Sequence, residues 1–125
     1  MGLPRRWRLG STERIREVLA RGRRAAGVLG VLQTLPGPGP HWRAALVFSR
    51  RVGGSVVRHR ARRRVQAALA GLEPRLPGAY DLVLRGDRAC ATLPYPQLCA
   101  ELERLLVRCV GPLAAGPQAE GVPCA

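Results

Sequence analysis

The sequence contains no lysine, few acidic residues and few aromatic residues. All 21 of its basic residues are arginines, against 8 acidic residues, and the formal net charge is +13. A GC-rich genome is one open explanation for the all-arginine set. A charge of this size indicates a polyanionic partner without saying which one. Aromatic residues make up 4% of the chain, so we expect an aliphatic core of leucine, valine and alanine.

Long apolar runs are also lacking. No stretch of about 18 apolar residues is present, so no transmembrane span is predicted. The arginines near the N-terminus are not followed by an apolar stretch, which argues against a secretory signal. The most basic segment has only a narrow Val/Ala/Leu stripe, which suits a protein core better than a membrane surface. We therefore expect a cytoplasmic protein without a membrane partner or a small-molecule ligand.

The residues that carry hydrolytic or metal chemistry are sparse. The four cysteines are Cys90, Cys99, Cys109 and Cys124. Their spacing fits neither a zinc site nor a disulfide framework. Only His41 and His59 represent histidine, and Asp81 and Asp87 are solitary acids. Phosphodiester hydrolysis needs a general base or carboxylates that hold a metal. We expect no catalytic residue, no metal site and no cofactor bound by the protein itself.

Helical and extended patterns alternate along the chain, after ten basic residues that we expect to be irregular. The predicted elements are a helix over residues 11–22, strands over 28–35 and 43–49, a helix over 55–72, a strand over 80–84 and a helix over 96–110. A Pro/Gly loop over 36–40 makes an antiparallel hairpin of the first two strands. The fold class that follows is α/β (α+β): a two-layer sandwich with a small mixed sheet, covered mainly on one side.

Arginines crowd the segment from Ser49 to Arg64, which contains no acidic residue. Gly53 and Gly54 lead into a helix whose first-turn N–H groups form an anion site. Like charges this dense lower helix stability unless an anionic partner relieves them. A merely solvated face would mix charges of both signs, yet no acid lies between Glu17 and Glu73. The segment therefore predicts nucleic-acid binding.

RNA is favoured over DNA as that nucleic acid. Nothing resembles a helix-turn-helix, a zinc finger or a zipper. A basic helix beside an open sheet can bind both phosphates and unstacked bases, as RNA-binding modules do. We therefore predict one RNA-binding domain over residues 1–110 and a disordered, Gly/Pro/Ala-rich tail over 111–125.

The same segment resembles the protein subunit of bacterial ribonuclease P. That family has a strand ending in Ser-Lys-Lys-Val-Gly-Asn-Ala-Val and a helix with Arg-Asn-Arg-x-Lys-Arg. Residues 49–63 read Ser-Arg-Arg-Val-Gly-Gly-Ser-Val-Val-Arg-His-Arg-Ala-Arg-Arg. Further similar stretches lie at residues 8–9, 18–24, 77–83 and 95–106, so the resemblance covers about residues 5–108 in the family's order.

The resemblance implies a sandwich with a left-handed βαβ crossover and a subunit of an endoribonuclease. Its partner would be a catalytic RNA that uses Mg²⁺ to remove the 5′ leader from precursor tRNA. The implied RNA-contacting residues are Arg50, Arg51, Arg58, His59, Arg60, Arg62 and Arg63. A cleft for the single-stranded leader would involve Ile15, Leu19 and Phe48.

Several positions depart from the family's pattern. His59 and Gly54 replace asparagines, and Gln66 replaces an arginine. Ile15 and Leu19 replace aromatic residues, whose stacking on bases is worth about 1–3 kcal/mol each. A ribosomal or ribosome-assembly RNA-binding protein remains the alternative, because it would have the same electrostatics. A DNA-compacting protein has no support beyond the charge.

Overall fold

The structure is a computed structural model, and it describes residues 7–114. Within that range, four α-helices and four strands follow one another. They are α1 (Thr12–Arg21), β1 (Arg23–Gly27), β2 (Gly30–Pro36), β3 (Arg43–Val47), α2 (Ser55–Leu72), β4 (Tyr80–Gly86), α3 (Ala89–Thr92) and α4 (Tyr95–Val110). The helices predicted over 11–22, 55–72 and 96–110 are confirmed, and β1 and α3 were not predicted.

The four strands form one mixed sheet in the order β1-β2-β4-β3. β4 pairs antiparallel with β2 and parallel with β3. The predicted hairpin of β2 and β3 is therefore wrong, because β4 lies between them. The physical reason is that Leu82, Val83 and Leu84 are all buried, which a strand achieves at the centre of a sheet. β3, α2 and β4 form a βαβ unit, for which a left-handed crossover stays a prediction.

β1 escaped prediction because its sequence has almost no apolar alternation. Of its five residues, only Ala25 is buried. It pairs antiparallel with β2 through a tight turn that ends at Gly30. Gly30 has φ +125°, and a Cβ there would overlap the carbonyl oxygen of Arg85 on the neighbouring strand. Strand β2 accordingly begins at Gly30 rather than at Val28.

The main core lies between one face of the sheet and helices α2, α3 and α4. Residues at helical spacing along α4 form an apolar stripe that is buried there: Leu98, Leu102, Leu105, Leu106 and Cys109. On the opposite face α1 is the one helix within residues 7–114 that covers the sheet, and its Val18 packs with Leu9 and Val83 in a second, smaller core. The predicted fold class, with a mixed sheet covered mainly on one side, is confirmed.

Both ends of the described chain are attached to the fold. Residues 7–10 were expected to be irregular, yet Arg8 forms a parallel bridge with Ala44. Leu9 is buried, and its N–H donates to the Ala44 carbonyl at 2.9 Å. At the other end, the main chains of Arg75 and Ala114 share a hydrogen bond, and the Arg75 side chain donates to the Ala114 carbonyl. The remainder of the predicted tail, 115–125, lies outside the described residues.

Candidate nucleic-acid interface

The entry into α2 is a tight turn built on Gly53. Arg50–Val52 form one turn of 3-10 helix, and Val52 is buried beneath it. Gly53 follows with φ +150°, a conformation in which a Cβ would lie 2.9 Å from the Val57 side chain. Gly54 caps the helix without a side chain, so the N–H groups of the first turn are left for an anion.

Helix α2 has a buried apolar face and an exposed basic face, although Val56 is exposed and Arg58 is half-buried. Its inward face consists of Ala61, Val65, Ala68, Leu69 and Leu72, all of which are buried. Exposed on the opposite side are His59, Arg60 and Arg63, and exposed in the preceding turn are Arg50 and Arg51. Within residues 7–114, no acidic side chain forms an ion pair with any of these five residues. Their charge is therefore available to an external polyanion.

Two other arginines of α2 are held by the protein itself. Arg62 donates from Nη1 to the Leu46 carbonyl at 2.7 Å, and its guanidinium lies 5.6 Å from the centroid of the Phe48 ring. Arg64 donates to the carbonyls of Cys90 and Leu93. These contacts fix both guanidinium groups against the fold, in contrast to those of their exposed neighbours.

A groove of about 650 Å³ runs between α2 and the outer edge of β3. Residues 8–10 and 44–46 form one wall. His59, Arg62, Arg63 and Gln66 form the other, and none of the lining residues is acidic. Arg8 thus joins three of the predicted RNA-binding residues, although they are more than fifty positions away. No local pattern in the sequence could have found this, because the bridge from Arg8 to Ala44 is a long-range contact.

Arg51 belongs to a different depression, near the ends of β2, β3 and β4. It lies there with Arg24 and Arg85, around the small side chains of Val31 and Val47. Arg85 donates from Nη2 to Gln33 Oε1 at 3.2 Å. The predicted RNA-binding residues are therefore not one patch, since those of α2 and Arg51 border separate grooves.

A family profile described as Ribonuclease P matches residues 3–110. The chain belongs to the ribonuclease P protein family. The ribonuclease P protein component of Acidothermus cellulolyticus is 39% identical over 108 residues, which are 85% of this chain and 90% of that protein. The component of Chloroflexus aurantiacus is 43% identical over 103 residues, with 82% and 76% covered.

Solved structures of ribonuclease P proteins have the same fold. The protein from Thermotoga maritima gives a TM-score of 0.72 at 17% identity, covering 81% of this chain and 96% of that one. A Staphylococcus aureus RNase P protein mutant with defective mRNA degradation activity gives 0.73 at 19% identity, with 81% and 86% covered. The predicted assignment to ribonuclease P and tRNA processing is confirmed, and no finding supports the ribosomal alternative.

The three residues predicted for the leader cleft are not brought together. Ile15 and Leu19 are half-buried beside the small core under α1. Phe48 is instead buried in the main core, where its ring lies against Gly86 and below Arg62. The placement of Phe48 with the other two is therefore wrong. Side chains alternate along a strand, and Ala44, Leu46 and Phe48 all point to the α2 side.

Metal and thiol chemistry have little support in the part of the chain that the structure describes. No three His, Cys, Asp or Glu residues there are close enough together to hold a metal ion. Cys90, Cys99 and Cys109 are buried free thiols, and burial raises the pKa of Cys90 to about 11. Cys124 lies outside the described residues. Over residues 7–114, no helix is long and apolar enough to cross a membrane.

Proposed function

We propose that this subunit docks on the RNA component of ribonuclease P through the start of α2 and the groove beside β3. The observation that carries the proposal is the charge of four exposed arginines that form no ion pair within residues 7–114. Arg60 and Arg63 lie on α2, and Arg50 and Arg51 lie in the turn before it. Guanidinium groups form bidentate contacts with phosphates, and the uncapped first turn of α2 adds main-chain N–H donors. The protein would thus act by binding an RNA, and we propose that it does so in the cytoplasm.

The cleavage itself is assigned to the partner RNA. Within the described residues, the one fully buried carboxylate is Asp81, and two arginines occupy its oxygens. Because this carboxylate is fully buried and both of its oxygens accept hydrogen bonds from arginines, it is not presented to a substrate or a metal. We propose that the RNA component uses Mg²⁺ to hydrolyse the phosphodiester, while the protein contributes no catalytic residue and binds no cofactor.

The 5′ leader of precursor tRNA is proposed to lie along the open half of the sheet beside α1. Ile15, Leu19 and Ala45 supply half-buried aliphatic surface there. Aromatic side chains are absent from that small core, because all five aromatic residues of the chain pack in or against the main core. Arg24 and Arg85 lie on the same sheet, where their guanidinium groups can contact the phosphates of a bound leader. Leader binding is therefore proposed to use phosphate contacts more than base stacking.

Reconstitution tests the assignment. The folded protein is mixed with a bacterial ribonuclease P RNA and precursor tRNA at low Mg²⁺, and cleavage is compared with that of the RNA alone. We expect 5′ cleavage to accelerate on addition of the protein, and a double variant, Arg60→Ala with Arg63→Ala, to need a higher protein concentration for the same effect. A folded protein that binds the RNA without accelerating cleavage would contradict the proposal and revive an assembly role.

A further inference from the structure

Asp81 is a buried carboxylate that joins three elements of the fold. Arg43 at the start of β3 donates from Nε and Nη2 to its two oxygens at 2.9 and 2.8 Å. Arg14 in the first half of α1 donates from Nε to Oδ2 at 2.6 Å. Burial alone would raise the pKa of Asp81, but the hydrogen bonds from Arg43 and Arg14 outweigh it and hold that pKa below its ordinary value.

Arg14 binds more than Asp81, because each nitrogen of its guanidinium has a partner. Nη1 donates to Glu17 Oε1 and Nη2 to the Pro36 carbonyl, both at 2.7 Å. Pro36 is the last residue of β2, so one planar group connects α1 to two neighbouring strands. The fork of a guanidinium is rigid, so these bonds define both the distance and the angle of α1 over the sheet.

The other end of α1 is also fastened to the sheet. Gln33 of β2 donates from Nε2 to the Leu19 carbonyl at 2.9 Å, and Arg85 of β4 donates to the Gln33 side chain. Gly22 closes the helix, where a Cβ would lie 2.7 Å from the Thr34 carbonyl oxygen. The helix is therefore held at both ends by directed polar bonds.

The apolar contact between these two ends is small. The buried residues of this small core are Val18 of α1 and, beneath the helix, Leu9 and Val83. Apolar contact is not directional, so a core of this size resists lifting of the helix but does little to define its position. Ile15 follows Arg14 directly, and Leu19 lies one turn further along on the same face. A shift at Arg14 therefore moves the aliphatic wall of the cleft.

We propose that the Arg14–Asp81–Arg43 cluster is a positioning device that sets the gap between α1 and the sheet for the precursor leader. This inference rests on the proposed function, because it assumes that the leader occupies that gap. Arg14 and Asp81 act through Ile15 and Leu19, and they do not themselves contact the RNA. Placement matters for the reaction as well, since a misplacement of about 1 Å can cost about two orders of magnitude in the rate of a catalysed step.

The test measures how much the leader adds to binding. The reconstituted holoenzyme is titrated with precursor tRNA and with leaderless tRNA, and the ratio of the two affinities is the readout. We expect Arg14→Ala to lower that ratio by about tenfold, while the affinity of the protein for the RNA component changes by less than about twofold. Arg14→Lys keeps the charge but lacks the fork, so we expect a ratio between those of Arg14→Ala and the unmodified protein.

Arg21→Ala is the matched control. It removes the same charge from the same helix, and Arg21 binds Glu17 at 2.7 Å but reaches no strand. We expect its ratio to stay within about twofold of the unmodified value, as for an exposed ion pair. An equal fall in Arg14→Ala and Arg21→Ala would overturn the inference, because charge rather than position would then explain the effect.

The failure of the inference and that of the proposed function give different results. If the unmodified holoenzyme binds both tRNAs equally well, leader binding itself is refuted. If it prefers the precursor and Arg14→Ala keeps the full preference, only the positioning device is refuted. Should Arg14→Ala not fold, Arg14→Lys is measured on the same ratio, and an unmodified ratio in that variant would equally refute the device.

Discussion

The start of α2 and the cluster around Asp81 use the same side chain in opposite ways. At Asp81, two arginines share one buried carboxylate, and their charge is consumed inside the fold. Along α2, Arg60 and Arg63 are exposed and have no ion pair in the described part of the chain. One region uses arginine as a rigid structural connector, and the other presents it to a partner.

The difference is determined by where the acids are, not by where the arginines are. No acid occurs between Glu17 and Glu73, so from Arg23 onwards the arginines of that stretch have no nearby carboxylate in sequence. Arg21, at its start, still pairs with Glu17. Arg43 is paired for another reason, because β3 lies beside β4 and thereby next to Asp81. In a chain with arginine everywhere, the acid-free segment rather than the arginine content marks the interface.

Removal of the carboxylate that Arg14 and Arg43 share is expected to cause the largest loss of stability. Asp81→Asn leaves two guanidinium groups without their anion, and breaking a buried pair costs about 3–5 kcal/mol. We expect a loss near the lower figure, because Arg14 and Arg43 both reach solvent. The free energy of unfolding in urea measures it. Glu101→Gln, at a surface pair with Arg104, is the control and should change stability by less than about 1 kcal/mol. Equal losses would contradict the structural role of Asp81.

The second prediction concerns the exposed arginines. Arg60→Ala with Arg63→Ala removes two phosphate contacts, so the slope of log affinity for the RNA component against log salt should fall by about 1.4–1.8. The control pair Arg21→Ala with Arg104→Ala removes the same charge elsewhere and should leave that slope nearly unchanged. Fluorescence titrations at several salt concentrations give both slopes. A slope unaltered in the α2 variant would exclude this helix from the interface.

Much of the fold could be predicted from sequence because the long helices have clear apolar periodicity. The α4 stripe is buried, and so is the stripe predicted for α2 except at its first residue, the half-buried Val57. The pairing of strands was not predictable in the same way. Adjacent strands in sequence most often form hairpins, and nothing local shows that β4 inserts between β2 and β3.

The candidate site was predicted by charge, and its details needed the tertiary structure. Arg62 and Arg63 are indistinguishable in sequence, yet Arg62 binds the Leu46 carbonyl and Arg63 is exposed. Asp81 was judged a solitary acid, because its partners Arg14 and Arg43 lie 67 and 38 positions away. Phe48 was predicted to lie in the leader cleft, but it points to the α2 side of the sheet. The side to which it points depends on the strand register, which the sequence does not show.

Acid should progressively remove the contribution that Asp81 makes to the stability of the fold. The pKa of Asp81 is lowered in the folded protein, so its contribution is complete above its unfolded pKa of about 3.9 and is lost as the pH falls through the folded value. Urea unfolding of the unmodified protein and of Asp81→Asn at pH 7, 5, 4 and 3 checks this. The gap in stability should be constant down to about pH 5 and should narrow below pH 4. A gap that widens in acid would show that this carboxylate is not stabilised by its arginines.

The smallest expected effect on stability distinguishes two neighbouring arginines of α2, Arg62 and Arg63. Arg62→Ala loses a charged hydrogen bond to the Leu46 carbonyl and the contact with the Phe48 ring, so it should lower the free energy of unfolding by about 1–2 kcal/mol. Arg63→Ala, one residue further on, touches neither and should change it by less than about 0.5 kcal/mol. Both variants should weaken RNA binding, since both residues line the groove beside β3. Equal stability in the two variants would mean that Arg62 is as free as its neighbour and that the whole basic face of α2 is available to RNA.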